Sequence, residues 1–154
     1  MSTRAIIAVS GNDKVTGDWK GSYFHWDNYP ERILPMLNKL VKRDGYDKAT
    51  KTLVYDNPSW SVLNPEITEE TFEQFETIKG YGRVYNDSDK TDEHSWYTNA
   101  TEWYSWADYA YIMTTRGVEV NKVVRISQST EQLETIAFYT WEEISAWDMA
   151  GVVL

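Results

Sequence analysis

Cysteine is absent from the 154 residues, which removes disulfides, thiol nucleophiles and thiolate metal sites. Long apolar runs are missing too. The amino-terminal TRAIIAV stretch holds only a short apolar core before a polar turn, too short for a signal peptide. Nothing approaches the roughly 18 apolar residues of a membrane span. A soluble, cytoplasmic protein without membrane contact is expected, and the sequons at Asn86 and Asn99 carry no weight there. Phosphate-cradling glycine motifs and a G-x-S-x-G elbow are also lacking; GYG at 80–82 reads as a turn.

Basic residues are scarce where they would matter for a polyanion. Residues 1–56 carry nine Lys and Arg against seven Asp and Glu, a net of +2. Residues 57–154 carry six against seventeen, a net of −11, and the whole chain is −9. Phosphate binding draws on basic clusters, so nucleic acid is not an expected partner. What the chain has in excess is aromatic residues, with eight Trp and eleven Tyr. Such side chains join an apolar body to a polar tip and suit cores, wet clefts and partner interfaces.

The length fits a single domain over residues 1–154. TRAIIAV and WKGSYFHW read as two strands, with a Gly- and Asn-containing turn between them. Strand alternation places Tyr23, His25 and Asp27 on one face, with Phe24 and Trp26 on the other. DNYPERILPMLNKLVKRDG then reads as a helix. Asp27 or Asn28 would cap it, Pro30 suits its first turn with Glu31, Pro35 would either kink it or mark its true start, and Gly45 would stop it. YDKATKTLVYDN reads as a second short helix, PSWSVLNPEI as a loop and TEETFEQFETIKG as a further helix. YNDSDKTDEHS reads as a polar loop. WADYAYIMTT and NKVVRIS, separated by RGVEV, read as a second hairpin. The segment from Thr130 reads as helical, at least from Thr140. The expected architecture is α+β: a mixed, mainly antiparallel sheet built from an N-terminal and a C-terminal hairpin, packed on helices.

Candidate chemistry centres on GSYFHWDNYPE, residues 21–31. A carboxylate can orient an imidazole and raise its basicity, so His25 and Asp27 form the expected pair if the chain is an enzyme. Strand neighbours two apart are about 7 Å apart, however, and Asp27 is also wanted as a cap. No metal site is expected: the acidic run around His94 lacks the glycine and distal glutamate of a calcium loop. No cofactor is expected either. The aromatic stretch 94–111, with Trp103 and Trp106, lacks the arginine or lysine of a base-stacking platform and suits a core or a protein interface. Homodimerisation through it is a further possibility, since exposed aromatic patches seldom stay uncovered.

STRAIIAV, the string YFHWDNYPE and the later WADYAY together resemble a group of small uncharacterised proteins of actinobacteria, phages and prophages. Those proteins open with Ser/Gly-Thr-Arg and carry a His/Gln-Trp/Phe-Asp-x-Tyr-Pro signature. The resemblance covers the first 45 residues or so and a shorter stretch near the end, leaving 46–100 unmatched. It falls on Thr3, Arg4, His25, Trp26, Asp27, Tyr29, Pro30 and Glu31. It brings no established activity; it implies a phage-type accessory protein acting in a host cytoplasm. Asn28 stands where relatives have glycine, so a strained, positive-φ turn is expected there.

Three functions follow as expectations. One is capture of a host or defence protein through aromatic and acidic surface, using Trp103 and Trp106. Another is binding of a small anionic, nucleotide-like ligand by Arg4, Tyr23, His25, Trp26, Asp27, Tyr29 and Glu31, with Arg4 beside His25 across the strands. The third is metal-dependent hydrolase or nuclease activity by His25 and Asp27.

Overall fold

A computed structural model describes residues 3–11, 18–68, 75–85, 97–98, 107–127 and 131–150. Strand β1 (Ala5–Ser10) is buried along its whole length. Its β-branched run suits a strand covered on both faces. It pairs antiparallel with β2 (Trp19–Phe24), Ala5 opposite Phe24 and Ser10 opposite Trp19.

From β2 the chain passes through helix α1 (Pro30–Asp44), helix α2 (Tyr46–Thr50) and a π-helical segment (Lys51–Tyr55). It re-enters the sheet as β3 (Ser59–Leu63), parallel to β2. Parallel neighbours need such a crossover, and here the helices supply it. Beyond β3 come β4 (Phe75–Ile78), β5 (Gly82–Tyr85) and β6 (Tyr97–Thr98). The last part holds β7 (Tyr109–Met113), β8 (Gly117–Arg125), β9 (Glu131–Thr140) and helix α3 (Trp141–Ala150). Among the described residues the strands form one nine-stranded sheet, ordered β4-β5-β3-β2-β1-β7-β8-β9 with β6 also on β2.

The sheet is mixed, because β1 pairs with β7 in parallel and β2 with β3 in parallel. The expected mainly antiparallel sheet built from two terminal hairpins therefore gives way to one that also recruits the middle of the chain. PSWSVLNPEI is not a loop but carries β3, whose Trp60 is fully buried and stacked on Phe24 at 5.3 Å. The helix expected in TEETFEQFETIKG is replaced at Phe75–Ile78 by β4, paired with β5. Gly117–Val120 of RGVEV belong to β8, and the segment from Glu131 to Thr140 is strand β9, so α3 alone is helical there.

Ile33, Leu34, Leu37 and Leu40 of α1 recur at helical spacing and are fully buried against Ala5, Ile7, Phe24 and Tyr111 of the sheet. Each such aliphatic side chain contributes about 1.5–3 kcal/mol by leaving water. Ile144 of α3 joins this core, and Asn38 of α1 donates to the Ser145 hydroxyl of α3 at 3.0 Å. The other sheet face buries Ile6, Ala8, Trp19, Ala110 and Ile112. Pro30 opens α1, and Gly45, at φ 88°, ends it as expected. The N-cap is Tyr29, with no side-chain cap bond, rather than Asp27 or Asn28. Among the described residues no helix is long and apolar enough to cross a membrane.

Candidate functional site

β2 ends at Phe24, so the signature residues form the turn that leads from the strand into α1. Two backbone bonds tie this turn to the strand beside it: His25 N–H donates to Trp60 O at 3.1 Å and Trp26 N–H to Ser61 O at 3.0 Å. Asp27 adopts φ 58°, the left-handed conformation that aspartate and asparagine tolerate better than most residues. The positive φ therefore falls one residue before the expected Asn28. Asn28 instead is completely buried. Its N–H and its Nδ2 both donate to Thr3 O, at 3.1 and 3.0 Å, while its own carbonyl accepts the Tyr111 hydroxyl at 2.6 Å. Burial raises the Tyr111 pKa above the ordinary tyrosine value, so this hydroxyl keeps its proton and stays a donor.

Arg32 closes the turn from the α1 side. Its guanidinium donates to Asp27 O at 3.1 Å and to Leu63 O at 2.6 Å. Thr3, Arg32, Asn28 and Tyr111 thus brace the motif, and sequence reasoning singled out neither Arg32 nor Tyr111. Leu63 and Asn28, which they reach, lie 31 and 83 residues away, and no local pattern marks them.

On this frame Trp26 and Tyr29 are 46% and 42% exposed. The Trp26 ring meets His25 edge-on, with centroids 4.7 Å apart. The Tyr23 hydroxyl and His25 Nδ1 share a hydrogen bond of 2.7 Å. With the hydroxyl donating, the proton of the neutral ring sits on Nε2. Partial burial, reinforced by the Arg4 charge, lowers the His25 pKa, so the imidazole is neutral at neutral pH. Arg4 lies one residue before Ala5, the partner of Phe24, and so stands across from His25 as the strand register implies. The Arg4 N–H is held by Asp108 Oδ2 at 3.0 Å and its carbonyl by the Asp108 N–H at 2.8 Å. Glu31 sits half-buried in the first turn of α1.

The structure thus brings Tyr23, His25 and Trp26 into contact, with the Arg4 charge near enough to act on His25, while Tyr29 and Glu31 follow at the start of α1. It does not join His25 to Asp27: the imidazole is bonded to Tyr23, and Asp27 is exposed beyond the strand end. Trp103, Trp106 and His94 lie outside the described residues. Among the described residues no group of three or more acidic or histidine side chains is placed to hold a metal. The site offers an imidazole N–H, a guanidinium and two exposed aromatic rings, a set suited to holding a partner. Comparison with family models, curated proteins and solved structures gave no match.

Proposed function

We propose that this α+β protein acts by binding a protein partner through the turn that ends β2. The observation that carries this reading is the pair of exposed rings, Trp26 and Tyr29, on a backbone fixed by fully buried Asn28. Rigid aromatics lose little entropy on docking, and such residues anchor interfaces. Arg4 and the His25 Nε2–H would meet a carboxylate or carbonyl on the partner at the edge of that patch. The resemblance to small phage and actinobacterial proteins supports a host or defence protein as the partner.

The rival reading, a small anionic ligand held by Arg4 and His25, is supported by the same polar pair. It is weaker because the two rings are 46% and 42% exposed. Hydrolysis by His25 and Asp27 loses its support once Tyr23 holds the imidazole.

The test is affinity capture from host lysate with the wild-type chain and with the double variant Trp26→Ala, Tyr29→Ala. Loss of a specific captured protein at unchanged melting temperature is expected. Equal capture by both baits would remove the reading.

A further inference from the structure

At the opposite end of β1 and β2, a cavity of about 270 Å³ opens between the strand and the helical crossover. Val9 and Ser10 line it from the sheet, and Tyr46, Asp47, Thr50 and Tyr55 from the crossover. The crossover presents these side chains for identifiable reasons. Gly45, at φ 88°, breaks α1 and starts α2 in a new direction. Residues 46, 47 and 50 then fall on one side of a helix by their spacing. The Tyr46 hydroxyl donates to Met113 O at 3.2 Å, which fixes its ring against the end of β7. The Thr50 hydroxyl lies 2.8 Å from Tyr46 O, so its proton is taken up by the helix backbone.

After Thr50 the helix widens into the π segment, with Asp56 N–H reaching back five residues to Lys51 O at 2.8 Å. π turns are rare and are frequently found at functional sites. Here the last residue of the π segment is Tyr55, which lines the cavity and is 44% exposed. Its ring already attracts a cation, since Lys20 Nζ lies 5.6 Å from the ring centroid. The Asp47 carboxylate is exposed and makes no ion pair among the described residues.

Two tyrosine rings, an unpaired carboxylate and an apolar strand residue thus surround one small space. Aromatic faces attract organic cations, and a carboxylate neutralises them. An anion would meet Asp47 unfavourably, and a neutral apolar ligand would desolvate it without a partner. We propose that this cavity binds a small organic amine. Its ammonium sits against Asp47, and its carbon body lies against Val9, Tyr46 and Tyr55. Because Lys20 already lies over Tyr55, the ligand's charge is directed chiefly to Asp47.

The test is isothermal titration of the full chain with choline and with putrescine, and with acetate and glucose as the anionic and neutral comparisons. One-site, saturable binding is expected for an amine, and none for acetate or glucose. Asp47→Asn should weaken it about tenfold, the loss of one charge-assisted contact, and Tyr55→Ala by a smaller factor, the loss of apolar contact, while the melting temperature holds. Absence of saturable amine binding would overturn the proposal. So would equal binding of acetate or glucose, or amine binding unchanged in Asp47→Asn, which would reflect diffuse attraction to a chain of net charge −9. The cavity lies a strand's length from Trp26, roughly 20 Å, so this test and the partner-capture test succeed or fail independently.

Discussion

β1 and β2 share two ends, and the ends are built on opposite plans. At the Thr3 and Phe24 end, the buried carbonyls of Thr3 and Asn28 are taken by Asn28 and Tyr111, and aromatics are pushed outward. At the Ser10 end, helix α2 and the π segment stand off from the strand and leave a lined space with an unpaired carboxylate beside it. A braced turn with exposed rings suits a large partner. A concave, polar-rimmed space suits a small molecule. The difference arises in the connections: the first end is a tight turn into α1, the second a helix broken at Gly45 and widened at Lys51–Tyr55.

The comparison breaks most severely if the brace is removed. Asn28→Asp would put a carboxylate in a fully buried position facing the Thr3 carbonyl, replacing a donor by an acceptor. A loss of about 2–4 kcal/mol is expected, because a buried charge is left without a partner. Chemical denaturation checks it, and a loss below about 1 kcal/mol would show that the turn is not held this way. Tyr111→Phe is gentler: it strips one buried donor from Asn28 O and should cost about 1–2 kcal/mol by the same measurement. At the cavity end, Tyr46→Phe removes a part-buried bond to Met113 O and should cost about 1 kcal/mol or less. If Tyr46→Phe proved the more damaging of the two, the cavity end would be the stiffer one and the contrast would be reversed. Trp26→Ala with Tyr29→Ala should change stability less than any of these, within about 0.5 kcal/mol per exposed site, while affecting partner capture.

The same contrast explains what could be read from the sequence. β1, β2 and the end of α1 were legible because their signals are local, a β-branched run and Gly45, whereas Pro30 and Pro35 both offered a start for the helix. The nearness of Arg4 to His25, felt in the lowered His25 pKa, is the kind of relation that strand register suggests. β3 was not legible, because what makes Ser59–Leu63 a strand is distant. Trp60 stacks on Phe24, and its indole N–H donates to Leu53 O at 2.9 Å. β9 was misread for a related reason: its Glu, Gln and Leu favour helix, but pairing along β8 overrides propensity. The Asn28–Tyr111 bond joins residues 83 apart, and nothing near Asn28 announces it. The cavity depends on a π segment, which breaks the very periodicity used to recognise helices.

The smallest expected effect is also the most specific to the signature end. His25 has a folded pKa below its ordinary value of 6.5, first because of burial and then because Arg4 is nearby. The unfolded chain therefore takes up a proton more readily than the folded one. The associated stability is fully present above the unfolded value and is lost as pH falls through 6.5 toward the folded pKa. Asp44 behaves similarly but far lower: Arg43 and the Tyr81 hydroxyl hold its carboxyl at about 2, so its contribution fades only between 3.8 and that value. The two windows do not overlap. Melting temperatures at about pH 7.5 and about pH 5.5, within the histidine range, should thus differ slightly in a His94→Gln background, with the lower value at the lower pH. Adding His25→Gln should reduce that difference. An unchanged difference would mean that His25 titrates alike in both states, and that neither burial nor Arg4 disfavours its charged form.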